Sequence, residues 1–319
     1  MLQSYLKNTA ENRNLGILHL TVFVWGFTGI LGALISISAT HLVWYRVLIA
    51  FLTLFFYFRI TKKNYKVSRE TFIKLFFTGA IVGAHWILFF QSIKSSTVSV
   101  ALVCLSSLTL FTAILEPLLK KQRISKLEIF TGLLIICGIY LIFKFESQYT
   151  FGIICGLSSA LCASLFSIIN SKQVKNRPAP VISFYELIGA WVWISIFMLF
   201  RGEFTSQMRL NTSDLIYLLI LGIICTSVAY VAGVSVMKEL TAFRVALITN
   251  LEPVYGIILA FLFFGKREQM TVGFYAGAVI VLTAIFLYPV IKNRIQKKRL
   301  KKQLPARSAK FRSRTRCER

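Results

Sequence analysis

Ten apolar runs of about 18–23 residues divide this 319-residue chain, and they constrain its fold more than any other feature. An α-helix of that length crosses roughly 30 Å of hydrocarbon. With 56% hydrophobic residues, the chain has too much apolar surface for a water-soluble protein of this size. The runs also lack the alternation of apolar and polar residues that membrane β-strands need. We therefore predict an all-α polytopic membrane protein with ten transmembrane helices, at about 16–36, 42–60, 72–93, 97–119, 127–145, 151–170, 181–200, 214–236, 243–264 and 271–291.

The segments outside these spans are too short to form a further domain. We expect a cytoplasmic N-terminal tail at 1–15. A basic cytoplasmic tail at 292–319 has too few apolar residues to fold alone, so we expect it to be disordered. The first span keeps a polar flank and lacks a small-residue cleavage site, which indicates a helix and not a signal peptide.

Lysine and arginine are distributed unevenly between the two sides of the membrane. With the N-terminus inside, the cytoplasmic connections carry 15 of them and the outer connections carry six. The positive-inside rule therefore predicts that both termini are in the cytoplasm, and we expect the protein in the cell inner membrane. The net charge of +25 follows mostly from this topology. We expect the basic tail to lie on anionic lipid headgroups, and nothing in the sequence predicts nucleic-acid binding.

The two halves of the chain resemble each other at an offset of about 144 residues. Val100-Ala101-Leu102 recurs as Val245-Ala246-Leu247, and Trp44-Tyr45-Arg46 corresponds to Phe184-Tyr185-Glu186. Each repeat, 16–145 and 151–291, has five spans. Because five is odd, the second repeat must enter the membrane in the opposite orientation. A 5+5 inverted repeat supplies two nearly equivalent conformations, open to opposite sides.

The ten spans, the inverted repeat, Trp25-Gly26 and the charged turns after spans four and nine resemble the EamA family of the drug/metabolite transporter superfamily over about residues 15–291. The resemblance implies export or exchange of amino acids and other small metabolites through a central cavity. It also implies a proline in the fourth span of each half. Pro253 fits that place in the second half, but Leu108 or Thr109 occupies it in the first, so a symmetric kink is not predicted.

Charged residues inside a membrane are costly, and each therefore suggests a function. Glu252 lies about nine residues into the ninth predicted span, at 243–264, beside Asn250 and Pro253. Pro253 should kink this helix. Glu252 is then either a site for a substrate ammonium or a proton, or a carboxylate paired statically in a helix interface. Asn250 is a further candidate for substrate binding.

Arg46 and Glu186 occupy corresponding places in the two halves. Arg46 either snorkels to the outer interface or faces the cavity and binds an anionic group of the substrate. The two residues are also candidates for gates at opposite sides of the membrane. Glu116 lies near Lys120, and an i,i+4 pair is the favoured interpretation for it.

Three further residues are candidates for the cavity wall. His85 is either a proton sensor or a histidine hydrogen-bonded to a neighbour. Trp86 and Tyr230 lie at corresponding depths, where aromatic rings suit an apolar or aromatic solute.

The sequence therefore predicts a secondary transporter that moves a small organic solute, such as an amino acid, by alternating access. No catalytic, nucleotide-binding or metal-ligand motif is present, so we expect no enzymatic activity, cofactor or metal. A monomer is compatible with the sequence. One alternative is a non-transporting membrane interaction protein with static ion pairs. A channel is disfavoured because no ring of filter residues is present.

Overall fold

The computed structural model describes residues 2–119, 126–284, 286–288, 290–292, 294 and 295, and in these ranges it contains helices and no strand. The helices follow one another along the chain with short connections. They are α1 (Leu2–Leu34), α2 (Ala39–Thr61), α3 (Arg69–Ser95), α4 (Val98–Leu105), α5 (Leu108–Leu119), α6 (Lys126–Phe145), α7 (Thr150–Gln173), α8 (Ala179–Arg201), α9 (Thr212–Gly222), α10 (Ala229–Val236), α11 (Ala242–Thr249), α12 (Leu251–Phe264) and α13 (Val272–Lys292).

Short polar residues and one glycine set several helix ends. At the start of α2, the Oγ of Ser38 accepts a hydrogen bond from the N–H of His41, at 3.3 Å. At the start of α4, the Oγ1 of Thr97 accepts one from the N–H of Val100, at 3.2 Å. Such caps satisfy N–H groups that have no partner within the helix. Gly202 ends α8 with a φ of 63°, a left-handed conformation that favours glycine.

Nine helical segments in the described residues are long and apolar enough to cross a membrane, one fewer than predicted. The exception is the predicted span 127–145: it is helical in α6, but the described side chains give only the shorter apolar helix Phe130–Phe145. The 20 residues of α6 rise roughly 30 Å at 1.5 Å per residue, about the thickness of the hydrocarbon core. Residues 120–125, which include the expected partner of Glu116, and residues 296–319 of the predicted tail lie outside the described residues. The all-helical membrane fold is confirmed, and a tenth complete span stays a prediction.

Large apolar side chains cover the outer faces of the helices. Ile60, Phe200 and Val272 are 79%, 87% and 86% exposed. Such surfaces are unfavourable in water and match the acyl chains of a bilayer. The outer surface therefore agrees with a multi-pass membrane protein.

Two of the spans are interrupted. Ser106 and Ser107 separate α4 from α5, and Asn250 separates α11 from α12. The two serine hydroxyls donate to carbonyl oxygens of α4, at 3.2 and 2.6 Å, and such bonds compete with the helical backbone. The interruption in the second half lies where a kink was expected, with Pro253 in the first turn of α12. The interruption in the first half was not predicted, because the serine pair takes the place of a proline.

A third irregularity lies between α9 and α10, where Ile223–Val228 forms a π-helix. The Oγ1 of Thr226 donates to the carbonyl of Leu221, five residues earlier, at 2.6 Å. Short π-helical segments occur frequently at functional sites. This segment turns the hydroxyl of Thr226 towards α2.

The helices α3 and α8 approach each other at two glycines. A Cβ on Gly79 would meet the backbone of Glu186 and Ala190, and one on Gly189 would meet the backbone of Phe76. Only residues without a side chain allow helix backbones to come this close. The contact fixes Glu186 in the interface between α3 and α8.

Candidate functional site

A cavity of about 80 Å³ lies among helices from both halves of the chain. Most of its wall is apolar or aromatic, while Arg46 and Glu252 contribute opposite charges. This combination is typical of sites that bind small organic molecules. The lining residues are Trp25, Thr28, Arg46, His85, Trp86, Phe89, Leu105, Leu108, Ala163, Phe166, Ser167, Tyr230, Gly233, Val234, Met237, Val245, Ala246, Thr249 and Glu252.

Arg46 is only 1% exposed and lines this cavity, so it does not snorkel to the interface in this structure. Its Nε donates to the Oγ1 of Thr226 at 2.5 Å. Its guanidinium carbon lies 4.5 Å from the ring centre of Trp86 and 5.3 Å from that of Phe90, as in cation–π contacts. One guanidinium nitrogen, Nη1, is buried and has no hydrogen-bond acceptor. The arginine is therefore held rigidly, yet keeps unused capacity for an anionic group.

Trp86 and Tyr230 meet inside the bundle, as their corresponding depths suggested. Their ring centres are 5.5 Å apart and the rings are inclined by 66°. Phe166 lies 6.1 Å from Tyr230 on the same wall. Aromatic pairs in such edge-to-face arrangements favour a fixed geometry. The three rings form one side of the cavity.

His85 lines the cavity but is held by its neighbour. Its Nδ1 lies 3.0 Å from the carbonyl oxygen of Ser159 and 2.8 Å from the Oγ of the same residue. The Ser159 hydroxyl also donates to the carbonyl of His85, at 2.9 Å. This geometry is that of a hydrogen-bonded structural histidine, the second interpretation given above.

Glu252 lines the cavity from the first turn of α12 and is 5% exposed. It makes no hydrogen bond or ion pair with any residue in the described part of the chain. Arg46 lines the same cavity without forming an ion pair with it. A statically paired carboxylate, the alternative from the sequence, is therefore not what the structure contains.

Asn250 was predicted to bind substrate, but it is not among the lining residues. It is 1% exposed, and its Nδ2 donates to the Oγ1 of Thr109 at 2.5 Å. Thr109 in turn donates to the carbonyl of Ala246, at 3.2 Å. Asn250 therefore connects the interruption between α11 and α12 to the start of α5, just after the interruption in the first half. The turn between α11 and α12 directs its side chain to that half. Pro253 also lies outside the lining, buried beside Glu252.

Glu186 is fully buried and is not a lining residue either. Its Oε2 accepts hydrogen bonds from the hydroxyl of Tyr230 at 2.7 Å and from the Nδ2 of Asn170 at 3.1 Å. Its Oε1 is buried without a partner. The proposed role of Glu186 and Arg46 as gates at opposite sides of the membrane stays a prediction.

Several residues of the site carried no signal that identified them in the sequence. Thr226, which fixes Arg46, and Asn170, which fixes Glu186, are neutral residues within apolar runs. Trp25 was noted in the sequence for its resemblance to a family pattern, and it lines the cavity against Gly233. A π-helix has no sequence signature that could have pointed to Thr226.

Comparisons with known proteins agree on the kind of protein. An uncharacterized transporter of Archaeoglobus fulgidus is 23% identical over 201 residues, which are 62% of this chain and 70% of that protein. The uncharacterized transporter YdfC of Bacillus subtilis is 22% identical over 276 residues, which are 84% of this chain and 89% of that protein. A solved crystal structure covers 88% of this chain and 98% of its own, with a TM-score of 0.64 and 12% identity, which supports the fold alone.

A family model extends this likeness over both halves of the chain. Residues 15–144 and 150–288 each match the EamA-like transporter family. The family and the names of the relatives indicate a membrane transporter of small solutes rather than an enzyme. The chain belongs to the EamA-like transporter family.

Proposed function

We propose that this protein is a secondary transporter that moves an amino acid with an apolar side chain across the inner membrane by alternating access. One observation carries the proposal: Arg46 and Glu252 line one largely apolar cavity with opposite charges and do not pair with each other. Unpaired charges in a membrane interior are costly. A zwitterionic solute offsets both charges at once.

Each part of such a solute has a matching surface. The guanidinium of Arg46 suits a carboxylate, because its planar donors can bind both oxygens. The carboxylate of Glu252 suits an ammonium group. The rings of Trp25, Phe89 and Phe166 line the remaining wall and suit an apolar side chain. The solute is therefore recognised by charge at one end and by burial of apolar surface at the other.

Alternating access rests on an inverted repeat of five spans, and three observations support it. The family model matches the chain twice. The two interrupted spans have their interruptions at corresponding places, at Ser106–Ser107 and at Asn250. Gly79 lies against α8, and its counterpart Gly222 lies against α2. Because α2 and α8 correspond in the two halves, these two contacts are equivalent, as an inverted repeat requires. In this proposal both termini are cytoplasmic and net movement is outward, as expected for the family resemblance.

The size of the cavity adds a conformational requirement. Its volume of about 80 Å³ is well below the roughly 300–1,000 Å³ of ordinary ligand sites. An amino acid therefore enters only when helices of the two halves separate. In this proposal the structure represents a contracted state of the transport cycle.

The alternative, a non-transporting interaction protein with static ion pairs, is less well supported. It requires that the intramembrane charges neutralise each other. Arg46 and Glu252 form no ion pair in the described structure. Ion pairs such as Lys74–Glu70 lie at exposed positions.

The test is counterflow of radiolabelled L-phenylalanine, followed by the other proteinogenic amino acids, in proteoliposomes containing the purified protein. We expect Arg46→Gln and Glu252→Gln each to lower uptake roughly tenfold or more, since a hydrogen bond to a charged group contributes about 1.5–3 kcal/mol. Glu70→Gln is the matched control, because it removes an exposed carboxylate and should leave uptake unchanged. Absence of wild-type counterflow with every amino acid, or full rates in both cavity variants, would contradict the proposal.

A further inference from the structure

We propose that Glu186 is a proton-binding site, and that its protonation couples solute movement to the proton gradient. This inference rests on the proposed function but concerns a different carboxylate from the one that binds solute. Glu252 shares its cavity with Arg46 and so has an opposite charge nearby. Glu186 lies outside the cavity and is fully buried.

Among the described residues, Glu186 is hydrogen-bonded by neutral donors and by no cation. The groups that bind it are Tyr230 on α10 and Asn170 on α7. On α2, Arg46 is engaged by Thr226 and the ring of Trp86.

Three ionisable groups of α3, His85, Lys74 and Lys94, are likewise engaged elsewhere. His85 is bonded to Ser159. Lys74 is paired with Glu70 at the surface, and Lys94 donates to the carbonyl of Ile35. A carboxylate buried without a counter-ion is strongly unfavourable, so binding a proton is the means by which Glu186 can be neutralised.

The hydrogen bonds around Glu186 also leave room for one more donor. Tyr230 and Asn170 both donate to Oε2, and Asn170 donates as well to the hydroxyl oxygen of Tyr230, at 3.2 Å. Two buried acceptors in this cluster, the Oε1 of Glu186 and the Oδ1 of Asn170, have no donor. A proton on Oε1 supplies the missing O–H group and leaves the bonds to Oε2 intact. Unsatisfied buried acceptors are rare enough that each calls for an explanation.

The proton site contacts the solute cavity through two aromatic side chains. Tyr230 binds Glu186 through its hydroxyl and lines the cavity through its ring. Its ring lies 5.5 Å from that of Trp86, and the guanidinium of Arg46 lies over Trp86 at 4.5 Å. A change of charge at Glu186 therefore acts on residues that also contact Arg46. Solute binding and proton binding therefore both depend on how Tyr230 packs against Trp86.

The step itself is a simple proton transfer. A hydronium ion arriving from one side gives its proton to Oε1, leaving water and a neutral carboxylic acid. After the helices move, the acid returns the proton to water on the other side. No other bond forms or breaks, and no other reactant is needed.

A first experiment detects the proton directly and needs no solute. Infrared difference spectra of the reconstituted protein between acidic and alkaline buffer report the carbonyl stretch of protonated carboxyl groups. We expect a band in the wild type that is absent from Glu186→Gln and still present in the matched variant Glu70→Gln. Identical spectra for the wild type and Glu186→Gln would overturn the proton site, whether or not the protein transports amino acids.

A second experiment tests the coupling, with L-phenylalanine as the probe. Exchange at equal pH needs no net proton movement, so we expect Glu186→Gln to retain it within about twofold. Accumulation driven by a pH gradient should fall to the level of empty liposomes. Wild-type accumulation in Glu186→Gln, or equal loss of exchange and accumulation, would overturn the coupling role. If the wild type itself moves no amino acid, the proposed function fails, and the infrared result still decides the proton site.

Discussion

Replacement of Glu268 by alanine tests how the two halves are held together at one end of the bundle. Glu268 ends the turn after α12 and is 7% exposed. Its carboxylate accepts hydrogen bonds from the N–H groups of Val98 and Ser99, at 3.0 and 2.9 Å, and from the Ser99 hydroxyl at 2.7 Å. It therefore caps α4, which belongs to the other half. The negative charge also lies at the positive end of that helix.

The expected effect follows from these bonds. Val98 and Ser99 are 1% and 2% exposed, so Glu268→Ala leaves two buried N–H groups without an acceptor. Each such group costs about 1–3 kcal/mol. We expect the free energy of unfolding to fall by roughly 2–6 kcal/mol, and by less in Glu268→Gln, because its amide oxygen still accepts.

The measurement is equilibrium unfolding in mixed micelles with increasing dodecyl sulfate, followed by far-ultraviolet circular dichroism. Glu70→Ala is the control, since Glu70 is an exposed carboxylate in the first turn of α3. Its unfolding midpoint should match that of the wild type. If Glu268→Ala and Glu70→Ala unfold at the same dodecyl sulfate fraction, the bonds to α4 do not stabilise the bundle, and the reasoning is refuted.

Three further outcomes are expected. Gly79→Ala should lower the free energy of unfolding by about 1–3 kcal/mol, because the new methyl group meets the backbone of α8; an unchanged unfolding curve would contradict this. Thr109→Val should lower it by about 1–3 kcal/mol by leaving the buried amide of Asn250 without an acceptor, whereas Thr109→Ser should retain most of the stability. A membrane-impermeant thiol reagent should label Lys66→Cys and Ser206→Cys from opposite sides of the membrane, above the labelling of the parent protein; labelling from one side would disprove the inverted repeat.

The sequence was most informative about the helices and the charged residues. Helix length is set by the thickness of the bilayer, so apolar runs predict spans without any knowledge of packing. Arg46 and Glu252 lie on one cavity because a charge in a membrane protein avoids lipid. Trp86 and Tyr230 were expected at corresponding depths of the two halves, and their rings meet in the structure. The spans and the positions of these side chains depend on the type of each residue and on its depth in the membrane.

Features that depend on helix rotation were not predictable. Asn250 and Glu252 are two residues apart, yet one binds Thr109 and the other lines the cavity. Which of them faces the cavity depends on how α11 and α12 meet α5, a contact over long sequence distance. Neutral residues such as Thr226 and Asn170 also cause little cost in a membrane helix, so their presence in an apolar run indicates no role. Their roles follow from the charged residues they contact.

The interface between the two halves of the chain links the proposed solute and proton sites. In the first half, Arg46 lies over Trp86, and in the second half Glu186 accepts a hydrogen bond from Tyr230. These four residues occupy corresponding places, and the two aromatic rings meet between them. Corresponding positions in the two halves therefore hold residues of different chemistry. Arg46 faces the cavity, and Glu186 is enclosed among neutral donors. A repeat with identical residues would bind the same ligand twice, whereas the two proposals assign an anionic group to Arg46 in the first half and a proton to Glu186 in the second.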